Sequence, residues 1–151
     1  SIGSIDKLHP MIKRTNSKKI KYINKEEIYI NYRRKKIFSK MSDKNLNAYI
    51  DSIITDDENG IRIKLSKKWE NTIYRNGSIN DSWIWRKIKK INIPTYIITP
   101  ENNEFSHFNY GGKLKNKNHL FKNLKIKDST HLFPLEKPKE TATVILSNIN
   151  F

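Results

Sequence analysis

The chain has 151 residues, of which 36% are hydrophobic, 11% aromatic and 30% charged, and this composition suits one modest folded domain. It contains no cysteine, which excludes disulfides, thiolate metal sites and cysteine nucleophiles. No apolar run approaches the ~20 residues of a transmembrane helix, and no signal-peptide pattern opens the chain. We therefore expect a cytoplasmic protein. Because the sequence does not begin with methionine, we also expect a fragment.

The formal net charge is +15, and residues 1–50 hold 13 Lys/Arg against 4 Asp/Glu. Such a charge attracts nucleic acid or anionic lipid. The basic residues are spread through every segment, without interleaved aromatic residues or a recognisable nucleic-acid motif. This spread favours a basic solvated surface, and a nucleic-acid-binding module is kept as the alternative hypothesis.

Residues 1–23 are weakly patterned. The segment Ser1–Gly3 matches the second half of a G-x-S-x-G nucleophile elbow, but no apolar strand precedes it, and S-x-G is common by chance. Asn24 is the expected N-cap of the first clear helix, with Glu26 and Glu27 in its first turn. The helix is predicted to end in the basic run 33–36.

Ser42 and Asp43 open the next predicted helix, whose apolar positions have helical spacing: Leu46, Tyr49, Ile50 and Ile53. An acidic turn is expected over residues 56–60, ending in Asn-Gly. Its carboxylates lack the alternating spacing of a calcium loop. The alternating segment Ile61–Leu65 then predicts an edge strand or extended segment.

Ser66 is predicted to cap a short helix that buries Trp69, Ile73 and Tyr74 and ends before Gly77. Asp81 is expected to open another helix, which contains Trp83 and Trp85. The three tryptophans would then form a small core between these helices. Alternatively, they would line an apolar substrate cavity.

The apolar, β-branched run Ile93–Thr99 predicts a buried strand, and the short segment Leu124–Lys127 is predicted to be the last strand. The polar segment between them contains two adjacent glycines, 111 and 112, so its helix should be short or broken. His131 follows the second strand on a predicted turn. Pro138 suits the first position of a closing helix, and Glu140 favours the dipole of its first turn.

The stretch Ser-Thr-His-Leu-Phe-Pro-Leu-Glu-Lys-Pro, residues 129–138, resembles the end of α/β-hydrolases. In that family an H-x-x-P-x-E-x-P loop leads from the last strand into the closing helix. The run Ile-Pro-Thr-Tyr-Ile-Ile-Thr, residues 93–99, resembles the family's penultimate strand. The upstream region resembles the helical cap of a subgroup of α/β-hydrolases. The matching features, in the same order and spacing, are a basic helix end, an x-L-x-x-Y helix, an Asn-Gly turn and a W-E-x-x-I-Y helix.

The resemblance implies an α/β protein with an incomplete α/β-hydrolase fold. Residues 1–90 would form a mostly helical cap, and residues 91–151 would supply the last two strands of the parallel sheet and the C-terminal helix. Two strands with open edges rarely make a stable sheet. We therefore expect this polypeptide to be marginally stable without an N-terminal half.

The resemblance also implies that His131 is the catalytic histidine and that Glu104 is the acid that orients it, with Glu101 as the next candidate. In some members of the family the acid instead follows an earlier strand, which would lie outside this chain. The acid loop departs from the family pattern, because Thr99, Pro100 and Glu104 replace Arg, Gly and Asp. Proline fixes φ where glycine turns freely, so the loop is expected to shift.

No complete G-x-S-x-G occurs in the chain, so the nucleophile would lie in the missing N-terminal half. The resemblance implies a serine hydrolase of an ester or similar acyl substrate, inactive as the chain stands. We expect no cofactor. We expect no metal either, because the other histidines have no partner at metal-ligand spacing: His9, His107 and His119. A non-catalytic relic is the remaining alternative.

Overall fold

The computed structural model describes residues 10–80, 82–102 and 110–148. The helices are α1 (Pro10–Ser17), α2 (Lys25–Arg33), α3 (Asp43–Ile53), α4 (Lys67–Asn80), α5 (Ser82–Lys87), α6 (Tyr110–Lys117), α7 (Phe133–Glu136) and α8 (Pro138–Leu146). The strands are β1 (Lys21–Tyr22), β2 (Ile54–Asp57), β3 (Gly60–Ile63), β4 (Thr95–Pro100) and β5 (Phe121–Ile126). Short 3₁₀ turns cover Lys36–Phe38 and Ile88–Lys90.

Side-chain caps start the helices where the sequence predicts them. The Asn24 side chain accepts a hydrogen bond from the Glu27 N–H at 2.9 Å. Ser42 Oγ accepts from the N–H at the third helical position of α3, and Ser66 Oγ caps α4 in the same way. Each cap satisfies an N–H that has no partner within the helix. The predicted starts of these three helices are therefore confirmed.

A three-stranded antiparallel sheet follows the order β1-β3-β2. The predicted strand at residues 61–65 exists as β3, but it is the central strand and not an edge. The predicted acidic turn is shorter than expected, because Asp56 and Asp57 pair with β3 and only Glu58 and Asn59 form the turn. Gly60 has φ of +141°, a conformation that other residues rarely adopt.

A hydrophobic core joins this sheet to α2 and α3. Its buried members are Tyr22, Ile28, Tyr32, Phe38, Met41, Leu46, Ile50 and Ile63. The ring of Tyr32 lies 5.0 Å from that of Phe38 and 6.2 Å from that of Tyr49, measured between centroids. Burial raises the pKa of Tyr32 and of Tyr49 above the ordinary tyrosine value. Leu132 and Leu135, far downstream, also pack against this core.

The prediction for the helix that contains Trp69 is wrong in two respects. Trp69 is 66% exposed and Ile73 58% exposed, and α4 runs through Gly77 to Asn80. The inward face of α4 instead contacts α1, where Asn71 Nδ2 donates to Asn16 Oδ1 at 2.7 Å. The weakly patterned residues 10–17 gave no sign of α1, so the sequence did not reveal which face of α4 would be covered.

Tyr74 and Trp85 are half-buried, and the Trp83 side chain lies outside the described part of the structure. Asp81, the expected start of the next helix, also lies outside it. With Trp69 exposed, the tryptophans do not form the predicted common core.

The second sheet consists of β4 and β5, paired in parallel from Thr95 opposite Phe121 to Pro100 opposite Ile126. Helix α6 lies between the two strands in the sequence and is eight residues long, in agreement with the prediction of a short helix. Pro138 is the first residue of α8, with Glu140 in the first turn. Within the described residues, no helix is long and apolar enough to span a membrane.

Candidate active site

The carboxyl ends of β4 and β5 form the candidate site. Beyond the last strand pair, the Glu101 N–H donates to the Ile126 carbonyl at 3.0 Å, and the Asn102 N–H donates to the Ser129 carbonyl at 3.1 Å. The segments that follow the two strands therefore remain side by side for several residues. The start of the predicted acid loop lies against the loop that carries His131.

Buried polar groups hold the backbone immediately before His131. Ser129 is fully buried, and its Oγ donates to the Ile126 carbonyl at 2.8 Å. Thr130 is also buried, and the carboxylate of Glu136 accepts hydrogen bonds from both its N–H, at 2.8 Å, and its hydroxyl. Because a carboxylate that binds two donors is a strong acceptor, Glu136 fixes this loop firmly.

The backbone after His131 is held from two directions. The Phe133 N–H donates to the Thr130 carbonyl at 2.9 Å, which closes the turn around the histidine. Asn45 of α3 donates its Nδ2 hydrogen to the Leu135 carbonyl at 2.9 Å. Leu135 also packs on the hydrophobic core formed with α2 and α3. The histidine turn is therefore attached to the helical region as well as to the parallel strands.

Asp128 makes the sharp turn between β5 and the histidine, with φ of +45°. Its N–H donates to Glu101 Oε2 at 2.8 Å, and its carboxylate forms a salt bridge with Lys40. The hydrogen bond from Lys40 lowers the pKa of Asp128 below its ordinary value. Like the hydrogen bond from Asn45 to Leu135, this exposed salt bridge joins the helical region to the segment that carries His131.

Of the two candidate acids, Glu104 lies outside the described residues. Glu101 is described and exposed, and its carboxylate accepts the Asp128 N–H, so it stabilises the turn that leads to His131. Pro100 is the last residue of β4, paired with Ile126, and does not shorten the strand. Ser1, the residue of the partial elbow, also lies outside the described part.

Three residues that hold the backbone beside His131 could not be recognised from the sequence: Ser129, Thr130 and Glu136. All three lie in the ten-residue stretch that carries the resemblance, and Glu136 is the glutamate of its H-x-x-P-x-E-x-P pattern. The sequence alone does not distinguish it from an exposed loop carboxylate. The structure shows that it is buried and that it accepts hydrogen bonds from Thr130.

Within the described ranges, no group of three or more His, Asp or Glu side chains could hold a metal ion. The arrangement instead presents one imidazole on a fixed turn at the end of a parallel strand. An imidazole can accept a proton and return it, and this is the chemistry of a general base.

Glu136→Gln is expected to weaken folding by about 1.5–3 kcal/mol, because it removes the charge from a buried acceptor of two hydrogen bonds. Urea unfolding measures this change. Glu140→Gln is the matched control, since Glu140 is exposed in the first turn of α8. Equal stability of the two variants would show that Glu136 does not hold the loop.

No protein-family model matches the chain, and no curated protein matches its sequence. Solved structures do match. E-2-(acetamidomethylene)succinate hydrolase aligns over 97% of this chain and 52% of its own, with 10% identity and a TM-score of 0.76. The peroxisomal α/β-hydrolase Lpx1 from Saccharomyces cerevisiae aligns over 89% and 37%, with 17% identity and a TM-score of 0.73.

A thioesterase domain from the curacin biosynthetic pathway aligns over 95% of this chain and 50% of its own, with 12% identity and a TM-score of 0.66. The chain therefore has an α/β-hydrolase fold in incomplete form, and it spans about half the length or less of these structures. This confirms the predicted fold and is consistent with the C-terminal part of such a protein.

Proposed function

We propose that this chain supplies the histidine part of a serine-type α/β-hydrolase acting on an ester or similar acyl substrate. The observation that carries the proposal is the fixed position of His131. It follows the last parallel strand on a turn held by Glu136 and Thr130, beside the end of the neighbouring strand. One structural neighbour is named a hydrolase and another a thioesterase, and we extend acyl hydrolysis to this chain.

In this proposal a serine from the missing half attacks the acyl carbonyl while His131 takes the proton from its hydroxyl. The histidine then gives that proton to the leaving alcohol, and an acyl-enzyme remains. Water attacks the acyl-enzyme in the second half of the cycle, and His131 again accepts and returns the proton. Backbone N–H groups outside this chain would stabilise the oxyanion.

A carboxylate has to hold the imidazole in the correct tautomer. We assign this role to Glu104, because it follows β4 in the family's order, with Glu101 as the second candidate. The existing hydrogen bond between Glu101 and the Asp128 N–H favours Glu104, since Glu101 already stabilises the turn.

The missing half is also the proposed partner of this chain, with residues 1–90 as the cap and residues 91–151 as part of the core. Trp69 and Ile73 lie one helical turn apart on α4, and both are largely exposed. On α8, Ile145 is 39% exposed and lines a groove of about 140 Å³ between the helix and the parallel strands. Exposed apolar surface of this kind is usually covered by further protein.

The test is labelling of the complete protein, with its N-terminal half present, by an alkyl fluorophosphonate. These reagents modify serines that an adjacent base activates. We expect one adduct per molecule and loss of ester turnover. A protein that neither reacts with the reagent nor turns over an ester would contradict the proposal.

A further inference from the structure

A second site lies at the other end of the parallel sheet. Residues just before β4 and just before β5 line an open cleft of about 560 Å³. Because the two strands are parallel and His131 follows β5, the cleft and the histidine are at opposite ends of the sheet. Six strand residues separate them by roughly 20 Å, so the cleft is not part of the hydrolase site.

The lining of the cleft is basic and comes from two distant sequence segments. Lys89 belongs to the 3₁₀ turn before β4, whereas Lys115 and Lys117 lie at the end of α6. His119 and the exposed amides of Asn92 and Asn116 complete the polar lining. The sequence showed these lysines as scattered charges, and only the fold brings them to one cavity.

Little negative charge is available to neutralise this cleft. Residues 82–127 hold ten Lys/Arg against two Asp/Glu, and both acids, 101 and 104, follow the opposite end of β4. Among the described residues, Lys89, Lys115 and Lys117 form no salt bridge with a carboxylate. Three exposed ammonium groups around one concave surface create a field that attracts anions.

The cleft is also built on a fixed frame. Asn118 is buried at its base, where its Nδ2 donates to the Ile88 carbonyl at 2.9 Å and to the Ile91 carbonyl at 2.8 Å. Its Oδ1 accepts from the Leu120 N–H at 3.0 Å. These bonds join the two lining segments. The Lys117 ammonium lies over the Trp85 ring, 5.7 Å from its centre, and this cation–π contact helps to position the lysine.

A simpler explanation of these lysines is that they complement the helix dipole at a helix C-terminus. That dipole amounts to roughly half a negative charge at the end of α6, which one of the lysines would balance. The combined positive charge of Lys89, Lys115 and Lys117 is several times larger than this partial negative charge. The excess positive charge is what an anion would meet.

We propose that this basic cleft binds closely spaced phosphate groups, supplied either by a small polyphosphate compound or by the backbone of a single-stranded nucleic acid. Lysine ammonium groups bind phosphate oxygens as point charges, and the amides of Asn92 and Asn116 can donate further hydrogen bonds. The proposal is independent of the hydrolase assignment.

The test measures binding of a short fluorescein-labelled oligothymidylate by fluorescence anisotropy, with tripolyphosphate as competitor. The triple variant K89Q/K115Q/K117Q is expected to bind roughly 10- to 100-fold more weakly than the unmodified protein. The slope of log affinity against log salt should fall by about 2, the value for three lost single-strand phosphate contacts.

The matched control is K44Q/K68Q/K139Q, which removes the same charge from exposed positions on α3, α4 and α8. The control variant should bind almost as tightly as the unmodified protein. Competition by tripolyphosphate supports a small polyphosphate ligand, and binding of the oligonucleotide without such competition supports nucleic acid. Equal weakening in the two triple variants, or no measurable binding of either probe, would overturn the proposal.

Discussion

Replacing His131 by alanine in the complete protein is expected to lower kcat for ester turnover by about 10⁴-fold or more, because no other group would accept the serine proton. The fold should survive the change. The histidine turn is held by Ser129, Thr130 and Glu136, whose hydrogen bonds do not use the imidazole. Turnover of a chromogenic ester measures the effect, and thermal unfolding checks that the protein remains folded.

Lys139→Ala is the control for this variant, since Lys139 is exposed on α8 and outside the site. It should leave both kcat and the unfolding temperature unchanged. If the His131 variant kept its turnover, the catalytic assignment would be wrong even though the fold is that of an α/β-hydrolase. The relic hypothesis makes a different prediction, which is that the unmodified complete protein shows no ester turnover.

Gly60→Ala is expected to have the largest effect on folding, roughly 3 kcal/mol of stability lost. The residue has φ of +141°, and an added Cβ would lie 2.3 Å from the Tyr22 carbonyl oxygen and 2.9 Å from that of Ile23. Both atoms belong to backbone, so they cannot move aside without breaking the pairing of β1 with β3. Unfolding of the complete protein in urea measures the loss.

Gly111→Ala provides a matched comparison. Here an added Cβ would meet the Asn123 side chain at 2.5 Å, and a side chain can move where a backbone carbonyl cannot. The new contact would disturb the hydrogen bond from Thr99 Oγ1 to Asn123 Oδ1, while alanine improves helix propensity in α6. The two effects offset each other, so the net change should stay within about 1 kcal/mol. Similar losses for the two variants would contradict the account of Gly60.

Much of the fold could be predicted because its signals are local. Helix caps such as Asn24 and Ser42 act within three residues, and the β-branched run at β4 can be recognised without knowing its partner strand. The turn before His131 and the start of α8 at Pro138 follow from the same kind of short-range chemistry.

What the sequence could not show depends on contacts between distant segments. The outward orientation of Trp69 follows from α1, whose residues have no clear pattern and whose Asn16 binds Asn71 across 55 residues. The central position of β3 depends on β1, a strand of only two residues. The basic cleft likewise appears only when the segment around Lys89 meets the end of α6.

In the candidate site, too, some features could be predicted from the sequence and others could not. His131 could be identified from its surrounding motif, but the buried carboxylate of Glu136 could not be distinguished from an exposed loop residue. Its role rests on the hydrogen bonds to Thr130, which only the folded turn displays. The structure of the segment around Glu104 is outside the described part, so its assignment remains a proposal based on the family's order of residues.

The central claim, that His131 acts on a serine supplied by the rest of the protein, is tested most directly by mapping the fluorophosphonate adduct. The complete protein is labelled, digested and analysed by mass spectrometry. The account predicts a single adduct on the serine of a G-x-S-x-G elbow, which these 151 residues do not contain whole, and slow labelling in the His131→Ala variant. Labelling at the same rate with and without His131, or no adduct on such a serine, would contradict it.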